Sequence, residues 1–331
     1  MSGDADTLIK ELRKAGLSPA AIKAAWPDWW SDRAESSISA RTELRLSIAR
    51  NLGLAPQALI GERVEFIWRD RARFKHLRSR EDLQLAALNS FGVSIGRSLI
   101  EATPSSGDLV GLHPSKIRKL LLSMGPPDLR SLLTLCWAVG IPVAHLRVWP
   151  LKQKAMHAMV IGQYGRHAIL FSRIASFPAV AAFTLAHEIG HVALGHVPTG
   201  DMLVDAEDPA KTAEHDEEEV AADRFALEIL IGAADPDIRI NFETFNHAEL
   251  ADAVMRAGPA HGIDPGTLAL AVAHQRKAWP VAMAAMRIIQ PQENAVSDLM
   301  NAVAASQLDL DRLGSDSAVF IGRALGIGNG G

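Results

Sequence analysis

The sequence contains little cysteine and little tyrosine: each occurs once among 331 residues, and aromatic residues make up only 5% of the chain. A single cysteine excludes a disulfide scaffold within one chain, and it also excludes a zinc site built from several cysteines. Cys136 lies in an apolar run from Leu132 to Val139. We therefore expect it to be a buried thiol of the core without a chemical role.

Long apolar segments are missing as well. No stretch of 18 uncharged apolar residues exists, and the best candidate is interrupted by His187 and Glu188. The first residues, Met-Ser-Gly-Asp-Ala-Asp, are acidic and lack the apolar segment of a secretion signal. We therefore predict a soluble protein of the cytoplasm that has no membrane partner.

Charge is unevenly distributed although the net charge is only −4. Residues 1–197 contain 25 Lys and Arg against 16 Asp and Glu, whereas residues 198–331 contain 9 against 22. The basic half indicates either an acidic or polyanionic partner or an ordinary solvated surface. Seven Lys and Arg are concentrated in residues 63–80, where they would either contact phosphates or lie on a solvated helix face.

The first helical block covers residues 7–61. It resembles the small helical domain of repressors of the XRE or lambda-repressor type, with Leu17-Ser18 opening the second helix and Leu44–Leu59 forming the closing helix pair. That resemblance implies DNA binding. The middle of the block departs from the pattern, because Pro27 breaks a helix and three tryptophans stand where a polar reading helix is expected. A protein-docking or purely structural helical bundle is the alternative.

Strand patterns are confined to a short central region. Leu146–Trp149, His157–Ile161 and His167–Phe171 are β-prone, and a turn at Gln163–Arg166 joins the last two. We predict an α+β fold that is mostly α. In this fold a small antiparallel sheet packs on a core of two helices, preceded by a helix-turn-helix-like domain and followed by a helical carboxy-terminal region.

Residues 187–191 read His-Glu-Ile-Gly-His, an HExxH motif inside a strongly apolar segment. On a helix, positions i and i+4 share a face, so His187 and His191 can point at one ion, with Glu188 beside it. Apolar residues surround the helix on every side, which predicts a buried helix. Burying these polar groups is costly unless a divalent cation pairs with them, and zinc is the cation that imidazole favours.

A third ligand is not found at the metzincin spacing, because Leu194 and Val197 occupy the positions where that pattern needs Gly and His. His196 lies nine residues after His187, on the opposite side of a continuing helix. It would reach the same ion only if the chain left the helix. We expect His196 to have a structural role near the helix end.

A second helix, predicted over residues 214–231, offers a better candidate. Glu219 lies at the centre of an apolar face of that helix, and an inward carboxylate needs a partner such as the ion held by His187 and His191. Asp223 is one turn further along the same side. It is suited to accept the second ring N–H of a histidine ligand.

These segments, Phe183–His196 and Glu219–Ala226, resemble the ImmA/IrrE family of zinc metallopeptidases over about residues 128–235. The resemblance implies that His187, His191 and Glu219 bind Zn²⁺, that Glu188 is the catalytic base, and that Asp223 supports a ligand. One departure is visible, since the family often has Met-Pro after the second helix and this chain has Ile-Gly-Ala-Ala-Asp-Pro.

The leading hypothesis is a zinc-dependent endopeptidase that cleaves a helix-turn-helix repressor, the substrate that the resemblance implies, with DNA contacted through the amino-terminal half. The alternative is a zinc-stabilised regulator or antitoxin-like protein without proteolytic activity. Tyr164 is a minor candidate for stabilising an oxyanion. The predicted units are a helical domain at 1–65, a helical connector at 66–127, the peptidase domain at 128–235 and a helical region at 236–331, of which residues 281–331 are unexplained.

Overall fold

The computed structural model describes residues 4–67, 80–151, 156–173, 175–200, 202–206, 217–238, 245–291 and 295–328. Within these ranges the protein is mostly helical with one small sheet, so the predicted α+β class is confirmed. Most of the basic segment at 63–80 and the first residues of the helix predicted at 214–231 lie outside the described residues. Among the described helices, none combines the length and the apolar character that crossing a bilayer requires.

Eight helices precede the sheet in the described part of the chain: α1 (Asp4–Lys14), α2 (Pro19–Ala25), α3 (Asp32–Glu35), α4 (Ile38–Leu52), α5 (Pro56–Ile60), α6 (Arg80–Glu101), α7 (Pro114–Leu122) and α8 (Leu129–Ala138). The strands are β1 (Val143–His145), β2 (Met156–Gln163), β3 (Arg166–Phe171) and β4 (Met202–Ala206). The remaining elements are α9 (Pro178–Leu194), α10 (Glu217–Leu230), α11 (His247–Ala260), α12 (Pro265–Arg276), α13 (Trp279–Ile289), α14 (Val296–Gln307), the 3₁₀ turn Leu310–Arg312 and α15 (Ser315–Leu325).

Local sequence explains the helices of the amino-terminal block. The hydroxyl of Ser18 accepts a hydrogen bond from the backbone N–H of Ala21 and caps α2. Helix α4 ends at Gly53, which has a left-handed φ of 68° and passes so close to Ser90 that a Cβ atom would collide with that residue's carbonyl. The second helix and the closing pair α4–α5 lie where the sequence indicates them.

The sheet has the order β1-β3-β2-β4 among the described residues. The hairpin of β2 and β3 is antiparallel, with its turn at Tyr164 and Gly165, as predicted. The sheet is mixed rather than antiparallel throughout, because β1 pairs parallel with β3. The five-residue strand β4, which follows α9 and pairs with β2, was not predicted.

The prediction of a strand at Leu146–Trp149 is wrong, because β1 ends at His145. The backbone N–H groups of Arg147 and Val148 both donate to the carbonyl of Ala324 in α15, at 2.8 and 3.2 Å. This contact comes from a residue far away in the chain. A tertiary hydrogen bond therefore replaces the ladder that β propensity favoured.

The carboxy-terminal helices close the fold, which accounts for residues that the sequence left unexplained. Helix α14 lies against β1, where the buried amide of Asn301 accepts from the backbone N–H of His145 at 2.8 Å and donates to its carbonyl at 2.8 Å. The same amide donates to the carbonyl of Leu325 at 2.6 Å. Asn301 thus completes the hydrogen bonding of an edge strand and holds the end of α15 against it.

Helix α15 packs on α2 and α4 of the amino-terminal block and on α6. The guanidinium of Arg323 donates to the carbonyl of Trp26 at 2.7 Å, and Asp316 accepts from the indole N–H of Trp29 at 3.1 Å and from Ser47 Oγ at 2.8 Å. In the tryptophan segment that interrupts the repressor-like pattern, Trp26 and Trp30 pack against the core, whereas Trp29 is exposed.

We expect Asn301→Ala to destabilise the protein by roughly 1–3 kcal/mol, because buried backbone groups of His145 and Leu325 lose their partner. Gln307→Ala is the matched control, since it removes an amide from an exposed position on the same helix and should change stability by less than about 0.5 kcal/mol. Urea unfolding of both variants measures the difference. Equal stability of the two would contradict the edge-strand role of Asn301.

Candidate metal centre

The helix that bears the HExxH motif is held on all sides by the core. Pro178 occupies its first turn, Gly195 ends it in the left-handed conformation, and nearly every residue between is buried. Gly190, inside the motif, faces α10 so closely that a Cβ atom would lie 3.1 Å from the Cα of Ala222. The absence of a side chain at this position lets the two helices approach, and their approach brings Glu219 to the histidines.

Three side chains that can bind a metal meet between these helices. His187 Nε2 lies 3.0 Å from His191 Nε2 and 3.2 Å from Glu219 Oε2, and His191 Nε2 lies 3.6 Å from Glu219 Oε1. The imidazole of His191 is fully buried and that of His187 is nearly so, whereas the carboxylate of Glu219 is one-third exposed. The cluster therefore has a protected side and a side open to solvent.

The spacing of these atoms fits a small divalent ion. Ligands at about 2.0–2.1 Å from a tetrahedral zinc ion are roughly 3.3 Å from one another. The two imidazole nitrogens are 3.0 Å apart, and each lies 3.2 or 3.6 Å from one of the two Glu219 oxygens, close to that value. Within the described residues, these three side chains form the group of His, Cys, Asp and Glu able to hold a metal. Two imidazoles and one carboxylate leave a fourth position for water or substrate.

Each histidine has a partner on its other ring nitrogen. His187 Nδ1 lies 2.9 Å from Asp223 Oδ1, the contact that the helix spacing predicted. His191 Nδ1 lies 2.9 Å from His196 Nδ1. Because an outer acceptor on Nδ1 leaves Nε2 for coordination, the contact with Asp223 holds the ring of His187 in the orientation that a metal site requires.

Glu188 is completely buried beside this cluster. Burial lowers the pKa of His187, but the hydrogen bonds of its ring with Asp223 and Glu219, together with the negative charges of Glu188 and Asp223, outweigh burial and raise that pKa to about 10. Burial would raise the pKa of Glu219, but hydrogen bonds from His187 and His191 dominate and hold it well below its usual range. The carboxylates thus stabilise a positive charge on His187, as they would stabilise a bound cation at the same place.

The five residues singled out from the sequence therefore lie together. The helix projection that placed Glu219 inward agrees with its contacts, although that side chain is at the rim of the core and Asp223 is more than half exposed. What the sequence analysis missed was the contact of His196 with His191. The prediction placed His196 on a continuing helix, whereas the chain leaves the helix at Gly195. That glycine could have indicated the end of the helix from the sequence.

Two other residues of the sequence analysis lie apart from this chemistry. Cys136 is fully buried, and burial raises the pKa of its thiol to about 12, so the prediction of a core thiol is confirmed. Tyr164 is largely exposed at the β2–β3 turn. The guanidinium of Arg97 lies over its ring, 5.7 Å from the ring centroid.

Comparison with known proteins found one family match. A family model described as Peptidase U49 matches residues 174–287, a segment that includes α9, α10, α11 and α12 and most of α13. The match supports a peptidase, and it contains all five residues of the candidate site. A comparison with curated proteins found no match.

We expect zinc affinity of the metal-free protein to rise with pH, about tenfold per pH unit between pH 6 and 8. The proton on His187, whose pKa is about 10, must leave before the imidazole can bind a metal, so lower pH opposes binding. Isothermal titration calorimetry in buffers of different ionisation enthalpy should find about one proton released per zinc ion at pH 7.5. Binding without proton release would contradict the assignment of a protonated His187.

Proposed function

We propose that the protein is a zinc-dependent endopeptidase of the ImmA/IrrE type. The observation that carries this proposal is the cluster of His187 Nε2, His191 Nε2 and a Glu219 carboxylate beside buried Glu188, inside the segment matched by a peptidase family. Two imidazole nitrogens favour zinc over magnesium or calcium, which prefer oxygen ligands. When bound, zinc supplies Lewis acidity that polarises a peptide carbonyl and acidifies water.

In this proposal the protein's own residues move the proton. Glu188 accepts a proton from the attacking water as the C–O bond forms, and it donates that proton to the amide nitrogen as the C–N bond breaks. Asp223 accepts the Nδ1–H of His187 and keeps Nε2 directed into the site. The carboxylate of Glu219, one-third exposed, lies where a polypeptide can approach from solvent.

The family resemblance further suggests a helix-turn-helix repressor as substrate, in the cytoplasm, with the amino-terminal half docking that substrate or its DNA. The packing of Trp26 and Trp30 against the core, and the hydrogen bond from Trp29 to Asp316 of α15, support the docking or structural interpretation of this block over DNA reading. The predicted domain boundaries stay a prediction; the matched segment begins inside 128–235 and continues past it to 287.

We expect Glu188→Gln to retain zinc and lose at least about 10²-fold in cleavage rate, because the amide cannot accept the proton from water. Glu217→Gln, an exposed carboxylate at the start of α10, is the matched control and should cleave normally. The measurement is mass-spectrometric detection of new protein amino termini in a host lysate treated with each variant, with and without a chelator.

The outcomes separate the two classes of function. New termini that require zinc and disappear with Glu188→Gln support the peptidase. Equal cleavage by Glu188→Gln would refute its role as the base. Wild-type protein that binds zinc but generates no new termini, even alongside a repressor-like protein encoded next to it, would favour the non-catalytic regulator.

A further inference from the structure

We propose that His196 is a positioning residue for His191: it accepts the Nδ1–H of that ligand and thereby holds its Nε2 in place for the metal. This inference rests on the proposed zinc site. It assigns a role to a histidine that the helix pattern alone places on the far side of α9.

The backbone brings His196 to this position. Helix α9 ends at Leu194, and Gly195 adopts a φ of 75°, which turns the chain back along the last helical turn. The N–H of His196 then donates to the carbonyl of His191 at 3.0 Å. His196 is therefore attached to the residue it faces through its backbone as well as its side chain.

The side chains meet through one nitrogen each. His191 Nδ1 and His196 Nδ1 are 2.9 Å apart, with ring centroids at 5.0 Å and planes at 64°. At this distance one of the two nitrogens carries the proton and the other accepts it. Because His191 Nε2 faces His187 and Glu219 and coordinates through its lone pair, the proton of His191 belongs on Nδ1. His196 is the acceptor.

The burial of His191 makes this acceptor necessary. Its side chain is completely inaccessible to solvent, so water is not available to satisfy Nδ1–H, and an unsatisfied buried donor is costly. His187 has the equivalent contact with Asp223, whose side chain is more than half exposed. At His191 a neutral imidazole performs the task without adding another negative charge to a site that already contains Glu188 and Glu219.

The test compares three substitutions at this position in the full chain. His196→Ala and His196→Phe both remove the acceptor, and Phe keeps the ring volume. His196→Asn restores it, because the amide oxygen of Asn occupies nearly the position of His Nδ1. His261→Ala is the matched control, since His261 is an exposed histidine just beyond the end of another helix, α11.

Zinc affinity is measured by competition with a chelator, and Co²⁺ substitution adds the visible absorption spectrum of the metal as a second readout. We expect Ala and Phe to weaken zinc binding about 10- to 100-fold and to alter the Co²⁺ spectrum. Asn should recover most of the affinity, and His261→Ala should match the wild type. Thermal unfolding of the metal-free variants checks that each is folded.

Native zinc affinity in folded His196→Ala or His196→Phe would overturn the inference. So would equal weakening in Asn, since that would indicate a packing role for the ring instead of an acceptor role. Failure of the underlying proposal is distinguishable, because then the wild-type protein would itself bind neither Zn²⁺ nor Co²⁺.

Discussion

The close packing of α9 against α10 is the constraint on which the site depends. Gly190 allows Ala222 to approach so closely that a Cβ atom would lie only 3.1 Å from the Ala222 Cα, and this approach brings the carboxylate of Glu219 to two buried imidazoles. A cluster of polar groups at this depth is stable only if each group has a partner. Carboxylates and imidazoles partner one another here, and a divalent cation would complete the arrangement. The packing of the two helices therefore sets the positions of the side chains that would bind the metal.

The rest of the chain serves to hold these two helices. The sheet and α8 pack on α9. Helices α11, α12 and α13 form a second cluster of buried apolar residues, which includes Ala179 at the beginning of α9. The carboxy-terminal helices then connect distant parts of the chain: α14 completes the edge of β1 through Asn301, and α15 fastens the amino-terminal block. The first and last helices of the chain thus belong to one structural unit with the sheet between them.

Much of the fold and site was predictable where the governing interactions are local. The resemblance to a repressor domain indicated the helices of the amino-terminal block, β-prone runs joined by a turn indicated the β2–β3 hairpin, and the apolar segment around HExxH indicated α9. The strand predicted at Leu146–Trp149 failed because the carbonyl of Ala324, remote in sequence, binds its backbone. Strand β4 has only five residues, too few to show a clear alternation of apolar and polar side chains. Its partner β2 is separated from it in the chain by β3 and α9.

The sequence by itself determined that His187, Glu188 and His191 share a buried helix, because helical periodicity and surrounding hydrophobicity are properties of adjacent residues. It also determined that Glu219 and Asp223 lie on one side of a second helix. Only the tertiary structure decided that these two faces meet with donor atoms 3.0–3.6 Å apart, and that His196 turns back onto His191. Such contacts depend on how closely helices approach and where the chain leaves them, which the spacing of residues along one helix does not specify.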